Sequence, residues 1–268
     1  MSESVLDRMV ADVRRRLDET PEHPGLVEAA HAAAETRRKL GLRSLRGALS
    51  VPGPAVIAEC KKASPSAGVI REDFDPVTLA RAYARGGAAS ISVVTETEYF
   101  SGDPQWLAVV RRAVDLPVLR KDFLVSRRQI HESAVLGADA VLLISRILDR
   151  ETLADLLATA SELDLEVLLE IFADEDPESA VVSGAEIIGV NARDLATFET
   201  RLDRVEAMAG ELPADRVRVA ESGIRGGDDV ARLNTAGYDA FLVGEHLVRA
   251  EDPETAVRTL VGESASDQ

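Results

Sequence analysis

Short apolar runs alternate with longer segments of helical periodicity along most of the chain. The runs are rich in valine, isoleucine and leucine, which favour strands buried on both faces, and the segments between them repeat apolar residues every three to four positions. This alternation predicts one parallel sheet whose strands are joined by crossover helices. The predicted strands span residues 55–60, 90–95, 117–121, 140–145, 166–171, 186–191, 216–221 and 239–244.

The junctions between these elements repeat the same short motifs. Four predicted strands follow a glycine of the kind that ends helices, at Gly87, Gly137, Gly184 and Gly237. Several helices are predicted to start at an aspartate N-cap with proline in the first turn, at Asp75, Asp103, Asp176 and Asp252. Asp149 predicts a further cap, and Ser126 with Gln129 predicts a capping box. Eight strand-helix units are the number that closes a parallel sheet into a barrel, so the predicted fold class is α/β, a (β/α)8 TIM barrel.

The residues before the first strand predict an N-terminal helical extension. Leu6, Met9, Val10 and Val13 recur at helical spacing, and the arginines at 14–16 are expected on a solvated face of that helix. The predicted organisation is a helical extension over 1–50, a barrel domain over 51–262 and a polar tail over 263–268.

Composition and charge exclude several classes of partner and compartment. The 268 residues carry a net charge of −16, which opposes binding to nucleic acid. A single cysteine excludes an internal disulfide and a cysteine-built zinc site, and is typical of a reducing compartment. Neither a signal peptide nor an apolar run long enough to cross a bilayer is found in the sequence, so we expect a soluble, cytoplasmic protein with no membrane partner.

Charged residues stand where the predicted strands end. In the first strand Ile57 and Glu59 share the inner face with Lys61 just beyond it, while Cys60 faces outward. An acid and a base on a core face cost several kcal/mol unless they are paired or used in chemistry. In a (β/α)8 barrel the carboxyl ends of the strands form the active site. Other strands end in the same way, at Lys121, Glu170, Asn191 and Glu221.

Small residues follow the last two strands, where barrels commonly bind phosphate. Ser222-Gly223 and Gly244-Glu245 leave room for backbone N–H groups to approach an anion. The sequence therefore predicts a small phosphorylated ligand at the same rim.

Several motifs between about residue 45 and residue 250 resemble one known family. Ala58-Glu59-Cys60-Lys61-Lys62-Ala63-Ser64-Pro65-Ser66, Arg120-Lys121-Asp122-Phe123, Gly189-Val190-Asn191-Ala192-Arg193-Asp194-Leu195 and Ala220-Glu221-Ser222-Gly223-Ile224 look like the signatures of indole-3-glycerol phosphate synthases. Thr95-Glu96-Thr97-Glu98-Tyr99-Phe100 resembles that family's second βα loop. Ala67, Cys60 and His246 depart from the commoner pattern, and none of them replaces a matched catalytic residue.

The resemblance implies a carboxy-lyase of tryptophan biosynthesis. It would close the ring of 1-(2-carboxyphenylamino)-1-deoxyribulose 5-phosphate and release carbon dioxide and water, giving indole-3-glycerol phosphate. The anilino nitrogen of the substrate accepts the electrons of the breaking bond, so no cofactor and no metal are expected. We expect a monomer or weak homo-oligomer.

The resemblance also assigns expected roles to the polar residues. Lys121 would be the ring-closure acid, and burial is expected to lower its pKa toward neutrality. Lys61 would anchor the substrate carboxylate or phosphate. Glu170 and Glu59 would be the base and the proton shuttle of water loss, with neutralisation of the lysines as the alternative.

The remaining site residues are expected to bind substrate. Asn191 and Glu221 would contact the sugar hydroxyls, Arg193 would bind substrate or form a loop ion pair, and phosphate would meet Ser64, Ser222, Gly223, Gly244 and Glu245. The slot for the aromatic ring would comprise Pro65, Phe100, Phe123, Leu142 and Leu195. The long connection from Lys61 to Pro76 is expected to close over the substrate.

Two other interpretations stay open at this point. One is a related phosphate-binding barrel, either a phosphoribosyl isomerase or a Schiff-base aldolase in which Lys121 would be a nucleophile. The other is a barrel retained as a non-catalytic, acidic binding scaffold.

Overall fold

The computed structural model describes residues 4–193 and 199–262, and within them eight parallel strands close into a barrel. Each barrel strand pairs with the next one along the chain, and the last pairs with the first. The strands are β1 (Ala55–Cys60), β2 (Ala63–Ser64), β3 (Gly68–Val69), β4 (Ser90–Val94), β5 (Val118–Lys121), β6 (Ala140–Ile144), β7 (Glu166–Phe172), β8 (Ile187–Asn191), β9 (Val217–Glu221) and β10 (Ala240–Val243). All but β2 and β3 belong to the barrel, which confirms the predicted fold.

Every predicted strand lies within one residue of its observed bounds. The antiparallel hairpin of β2 and β3 was not predicted, and it lies in the long connection from Lys61 to Pro76 that was expected to close over the substrate. Its closure over substrate stays a prediction.

The barrel strands bury both faces, which produces two layers of apolar packing. Inward residues such as Ile57, Leu119 and Leu168 fill the barrel, whereas outward residues such as Cys60 and Leu143 pack beneath the helices. Each fully buried side chain of this size contributes about 1.5–3 kcal/mol of transfer free energy. Near the carboxyl ends of the strands the inner layer carries buried charged residues, among them Glu59, Glu170 and Glu221.

Helices follow the strands as the predicted starts and stops require. They are α1 (Val5–Glu19), α2 (Leu26–Leu40), α3 (Leu45–Leu49), α4 (Pro76–Arg85), α5 (Pro104–Ala113), α6 (Arg127–Val135), α7 (Arg150–Glu162), α8 (Glu178–Ser183), α9 (Leu202–Met208), α10 (Gly227–Ala236), α11 (Glu245–Arg249) and α12 (Pro253–Val261). The carboxylates of four aspartates cap their helices as predicted, at Asp75, Asp103, Asp149 and Asp252. The glycines that end helices also have the left-handed conformation expected of them, at Gly87, Gly137, Gly184 and Gly237.

Two predicted caps are wrong. Pro177, and not Asp176, occupies the N-cap of α8, and its dihedral angles are already helical. The Asp176 carboxylate accepts from the backbone N–H of Glu178. Ser126 makes no capping hydrogen bond. The Gln129 amide instead accepts from Val125 N–H and donates to the carbonyl of Phe123, so it holds the loop after β5.

The N-terminal helices cover both ends of the barrel. Leu6 and Met9 of α1 are buried in the same apolar cluster as Phe172, the last residue of β7, so α1 lies over the carboxyl ends of the strands. At the opposite end, Glu166 at the start of β7 accepts a 2.9 Å hydrogen bond from Arg46 N–H in α3. Residues 263–268 lie outside the described part of the chain, and the division at residue 50 stays a prediction. No helix in the described ranges has the length and apolar character needed to span a bilayer.

Candidate active site

A cavity of about 500 Å³ opens at the carboxyl ends of the barrel strands. Because eight parallel strands end there, side chains that are distant in sequence meet in it. Every predicted site residue in the described part of the chain lines this cavity, namely Glu59, Lys61, Ser64, Pro65, Phe100, Lys121, Phe123, Leu142, Glu170, Asn191, Arg193, Glu221, Ser222, Gly223, Gly244 and Glu245. Leu195, the remaining predicted slot residue, lies outside the described residues.

Lys121 lies at the centre of a group of carboxylates. Its Nζ donates to Glu170 Oε2 at 3.0 Å and lies 3.5 Å from Glu221 Oε2. Burial by itself lowers the pKa of Lys121. The negative charges of Glu170, Glu221 and Glu59 raise it by more than burial lowers it, so the pKa lies above its ordinary value of 10.5. The expectation of a pKa near neutrality is therefore wrong, because three strands bring carboxylates to this one ammonium.

Glu59 and Lys61 form a second ion pair on β1, where Nζ and Oε2 are 2.6 Å apart. Burial raises the pKa of Glu59, but Lys61 and Lys121 lower it more, so its pKa falls below the ordinary value. Gly244 allows this pair to form, since a Cβ at that position would overlap Glu59 Oε2 and lie 3.0 Å from Lys61 Nζ. Gly244 therefore makes room for the ion pair, and not only for the approach of an anion.

The two carboxylates beside Lys121 have different surroundings. Glu170 accepts from Lys121 and from the Asn191 amide at 3.1 Å. Glu221 is 1% exposed, and neither of its oxygens accepts a hydrogen bond from any donor in the described residues. Burial and the neighbouring Glu170 carboxyl group raise the pKa of Glu221 well above the usual range, although Lys121 opposes them. Glu170 is thus a held carboxylate, and Glu221 is a buried acid with free acceptor sites.

The side of the cavity where phosphate was expected contains tight turns and two arginines that were not predicted. Ser222 and Gly223 have φ angles of 68° and 77°, and a Cβ on Gly223 would lie 3.1 Å from that of Thr200. Glu245 pairs with Arg249 at 2.9 Å. Arg225 and Arg249 line the cavity without having been singled out in the sequence, and His246, which departs from the family pattern, lines it as well.

The apolar side of the cavity has walls from both the barrel and α1. Phe100 and Phe123 lie 6.2 Å apart between ring centroids with planes tilted by 57°. Leu142 lies beside them, and the sequence missed further apolar contributors, among them Leu6, Met9 and Phe172. Phe172 is two residues after Glu170, so strand alternation could have placed it on the inner face, whereas no local signal places α1 over the barrel mouth.

Charged contacts attach α1 to the loop that carries Phe100. Arg16 donates to Glu96 Oε1 at 2.8 Å and also pairs with Glu98. Glu96 in turn accepts from Tyr99 N–H at 2.6 Å, and Asp12 accepts from the Tyr99 hydroxyl. The expectation that residues 14–16 form only a solvated face is wrong for Arg16, because its partner Glu96 is buried.

The Arg193 side chain crosses from the β8 end toward the hairpin of β2 and β3. Its Nη1 donates to Ser66 Oγ at 3.3 Å, while its backbone N–H donates to Asn191 Oδ1 at 2.9 Å. The second contact fixes the Asn191 amide so that its nitrogen faces Glu170.

Comparison with known proteins identifies the family. A family model described as indole-3-glycerol phosphate synthase matches residues 6–260. The chain belongs to the indole-3-glycerol phosphate synthase family. The synthase of Leptothrix cholodnii is 43% identical over 257 residues, covering 96% of this chain and 98% of that protein. The synthase of Albidiferax ferrireducens is 45% identical over 258 residues, covering 96% and 97%.

Solved structures support the fold alone. A 3-hexulose-6-phosphate synthase has a TM-score of 0.63 at 16% identity, covering 79% of this chain and 100% of that one. The thiamine phosphate pyrophosphorylase of Pyrococcus furiosus has a TM-score of 0.59 at 18% identity, covering 81% and 96%. Both likenesses extend over most of the barrel.

Membership of the indole-3-glycerol phosphate synthase family confirms the predicted function, a carboxy-lyase of tryptophan biosynthesis that acts on a phosphorylated small molecule. The isomerase, aldolase and scaffold interpretations have no comparable support.

Proposed function

We propose that Lys121 is the general acid of ring closure and that the residues around it divide the later steps. Its ammonium group is the one observation that carries the proposal, since it lies at the cavity between Glu170 and Glu221, where the Glu170 carboxylate maintains its charge. When the ring carbon of the substrate attacks the ketone, negative charge develops on the ketone oxygen. An ammonium beside that oxygen stabilises the charge and donates the proton.

A raised pKa makes Lys121 a weaker acid in the free enzyme but keeps it protonated. The alkoxide that forms is far more basic than any lysine, so proton transfer to it is downhill. Carbon dioxide then leaves, and the electrons of the broken bond pass to the nitrogen of the substrate. The lysine amine left behind recovers a proton from solvent or from a neighbouring carboxyl group.

Glu170 is the proposed base for the loss of water. It is held by Lys121 and Asn191, which orient one oxygen each. Glu170 removes the ring proton, and the hydroxyl takes a proton from solvent or from a neighbouring ammonium group and leaves as water, which gives the aromatic indole. The lowered pKa of Glu59 favours a permanently charged partner of Lys61 over a proton shuttle. Lys61 then presents a fixed positive charge to the substrate carboxylate or phosphate.

Substrate binding follows from the remaining walls of the cavity. Asn191 and Glu221 would bind the sugar hydroxyls, and no described donor already occupies either carboxyl oxygen of Glu221. Phosphate would bind the backbone N–H groups at Gly223 and Gly244, with Ser64, Ser222, Arg193 and the backbone at Glu245 nearby. The anthranilate ring would lie among Pro65, Phe100, Phe123 and Leu142, and the place of Leu195 in that slot stays a prediction.

The test is to supply the carboxyphenylamino-deoxyribulose phosphate without added metal or cofactor. Indole fluorescence should rise, with one carbon dioxide released per indole formed. Glu170→Gln should lower kcat by about 10²–10⁴-fold, as the loss of a general base does. A normal kcat in that variant would refute its role.

Borohydride treatment during turnover distinguishes an acid from a nucleophile. An acid leaves the mass of the chain unchanged, whereas a Schiff base at Lys121 would be reduced to a stable adduct. An adduct on Lys121 would overturn the proposed mechanism.

We also propose that the enzyme works in the cytoplasm as a monomer or weak homo-oligomer and without nucleic acid. The net charge of −16 repels phosphate backbones, and the one cysteine, Cys60, is buried. Light scattering after gel filtration tests the oligomeric state, and a stable tetramer would contradict the proposal.

A further inference from the structure

Gly189, on the inner face of β8, has no side chain at a place where the neighbouring strands carry bulky or charged ones. It is buried, and it is the register partner of Glu170 on β7 and of Val219 on β9. Its φ angle is not positive, so the backbone conformation alone would accept any residue. The reason for a glycine must therefore lie in the space in front of it.

That space is occupied by the carboxyl group of Glu221. A Cβ built on Gly189 would overlap Glu221 Oε1 and lie 3.1 Å from its carboxyl carbon. Glu221 is paired in register with Asn191, two residues further along β8 than Gly189. Its side chain therefore folds back across β8, and this brings Oε2 to 3.5 Å from Lys121 Nζ on β5.

We propose that Gly189 is a positioning residue, whose missing side chain lets Glu221 lie across β8 beside Lys121 with its carboxyl group free to hydrogen bond with substrate. The inference rests on the role proposed above for Glu221. With a methyl group at position 189, the carboxyl group would have to move by roughly 1.5 Å to reach an ordinary contact distance. The cavity at the barrel mouth, which Glu221 lines, offers space for that movement, in the volume meant for substrate.

A double-mutant cycle between positions 189 and 221 tests the inference. Gly189→Ala alone should lower kcat/KM by about 100-fold, because a displacement of that size costs on the order of that factor. In a Glu221→Ala background the overlap is gone, so adding Gly189→Ala should change kcat/KM by less than about twofold. A purely structural need for glycine in β8 predicts the same loss in both backgrounds.

Thermal unfolding provides a readout that does not depend on activity. Overpacking should lower the Tm of Gly189→Ala by about 5 °C and should not lower it in the Glu221→Ala background. Leu168 Cδ1, 3.2 Å from the added Cβ, is present in both backgrounds and sets the residual effect. Gly210→Ala is the matched control, since a Cβ there has open space and should change neither quantity.

The outcomes separate this inference from the proposed function. Full turnover by Glu221→Ala would refute the catalytic part of the inference together with the role of Glu221, while the Tm cycle would still decide whether Gly189 makes the space. If Gly189→Ala fails to fold, restored folding in the double variant supports the inference. Equal losses of Tm in both backgrounds, or failure of both variants to fold, would overturn it.

Discussion

Replacing Glu221 with glutamine should make the enzyme more stable while making it less active. Glu221 is buried, accepts no hydrogen bond from a described donor and lies beside the Glu170 carboxylate. Its pKa is raised on folding, chiefly by burial and then by Glu170. A group with a raised pKa favours the folded state below its unfolded pKa, and that contribution is lost as pH rises through the folded pKa. Glutamine has the same shape and does not titrate.

The size of the effect follows from one proton. Above the ordinary pKa of 4.5, the unfolded chain carries an ionised Glu221 while the folded chain keeps the proton, so wild type loses about 1.4 kcal/mol of relative stability per pH unit. The loss stops when pH reaches the raised pKa. At pH 7 we expect Glu221→Gln to unfold with more free energy and at a higher Tm than wild type, and each pKa unit of the rise on folding corresponds to about 1.4 kcal/mol.

The assay is thermal or urea unfolding of both proteins from pH 4.5 to pH 8. The two curves should meet near pH 4.5 and separate as pH rises. Glu170→Gln is the matched control with the opposite sign, because Glu170 accepts from Lys121 and Asn191 and its removal breaks a buried ion pair, which costs about 3 kcal/mol. A Glu221→Gln variant less stable than wild type at pH 7 would refute the reasoning.

Three further predictions follow from the same site. Gly244→Val should lower kcat as well as substrate affinity, because its side chain would displace Glu59 and Lys61; a change in KM alone, in steady-state kinetics, would contradict this. Arg16→Ala should raise KM by about tenfold, because it releases the Glu96 carboxylate that holds the Phe100 loop. Arg15→Ala is the control and should change KM little, since the described ion pairs of Arg15 lie within α1. Equal KM values for the two variants would show that the contact between Arg16 and Glu96 is incidental. Finally, kcat/KM measured against pH should not fall between pH 7 and pH 9 through deprotonation of Lys121, whose pKa is raised; an alkaline limb near pH 8 that moves on Lys121 substitution would show the opposite.

The barrel could be predicted from the sequence because its signals are local. Strand alternation placed Glu59 inward and Cys60 outward, and the carboxyl ends of parallel strands necessarily meet at one rim. The polar residues at the strand ends were found by the same rule, while the family motifs supplied the expected roles and residues such as Phe100 and Arg193.

What the sequence did not predict depends on contacts between distant segments. The pKa of Lys121 is set by carboxylates from three other strands, so burial alone gave the wrong direction. Arg16 differs from its neighbours only because Glu96 lies opposite it, and Leu6 reaches the cavity only because α1 lies across the mouth. The need for glycine at position 189 likewise appears only once Glu221 is seen folding back across β8.

The turnover number of Lys121→Met tests the central claim most directly, with Lys39→Met, an exposed lysine on α2, as the control. The account predicts that Lys121→Met remains folded, by circular dichroism, and loses about 10³-fold in kcat for indole formation while the control is unchanged. A kcat within a few fold of wild type would contradict it, since Lys121 would then not be needed as the acid of ring closure.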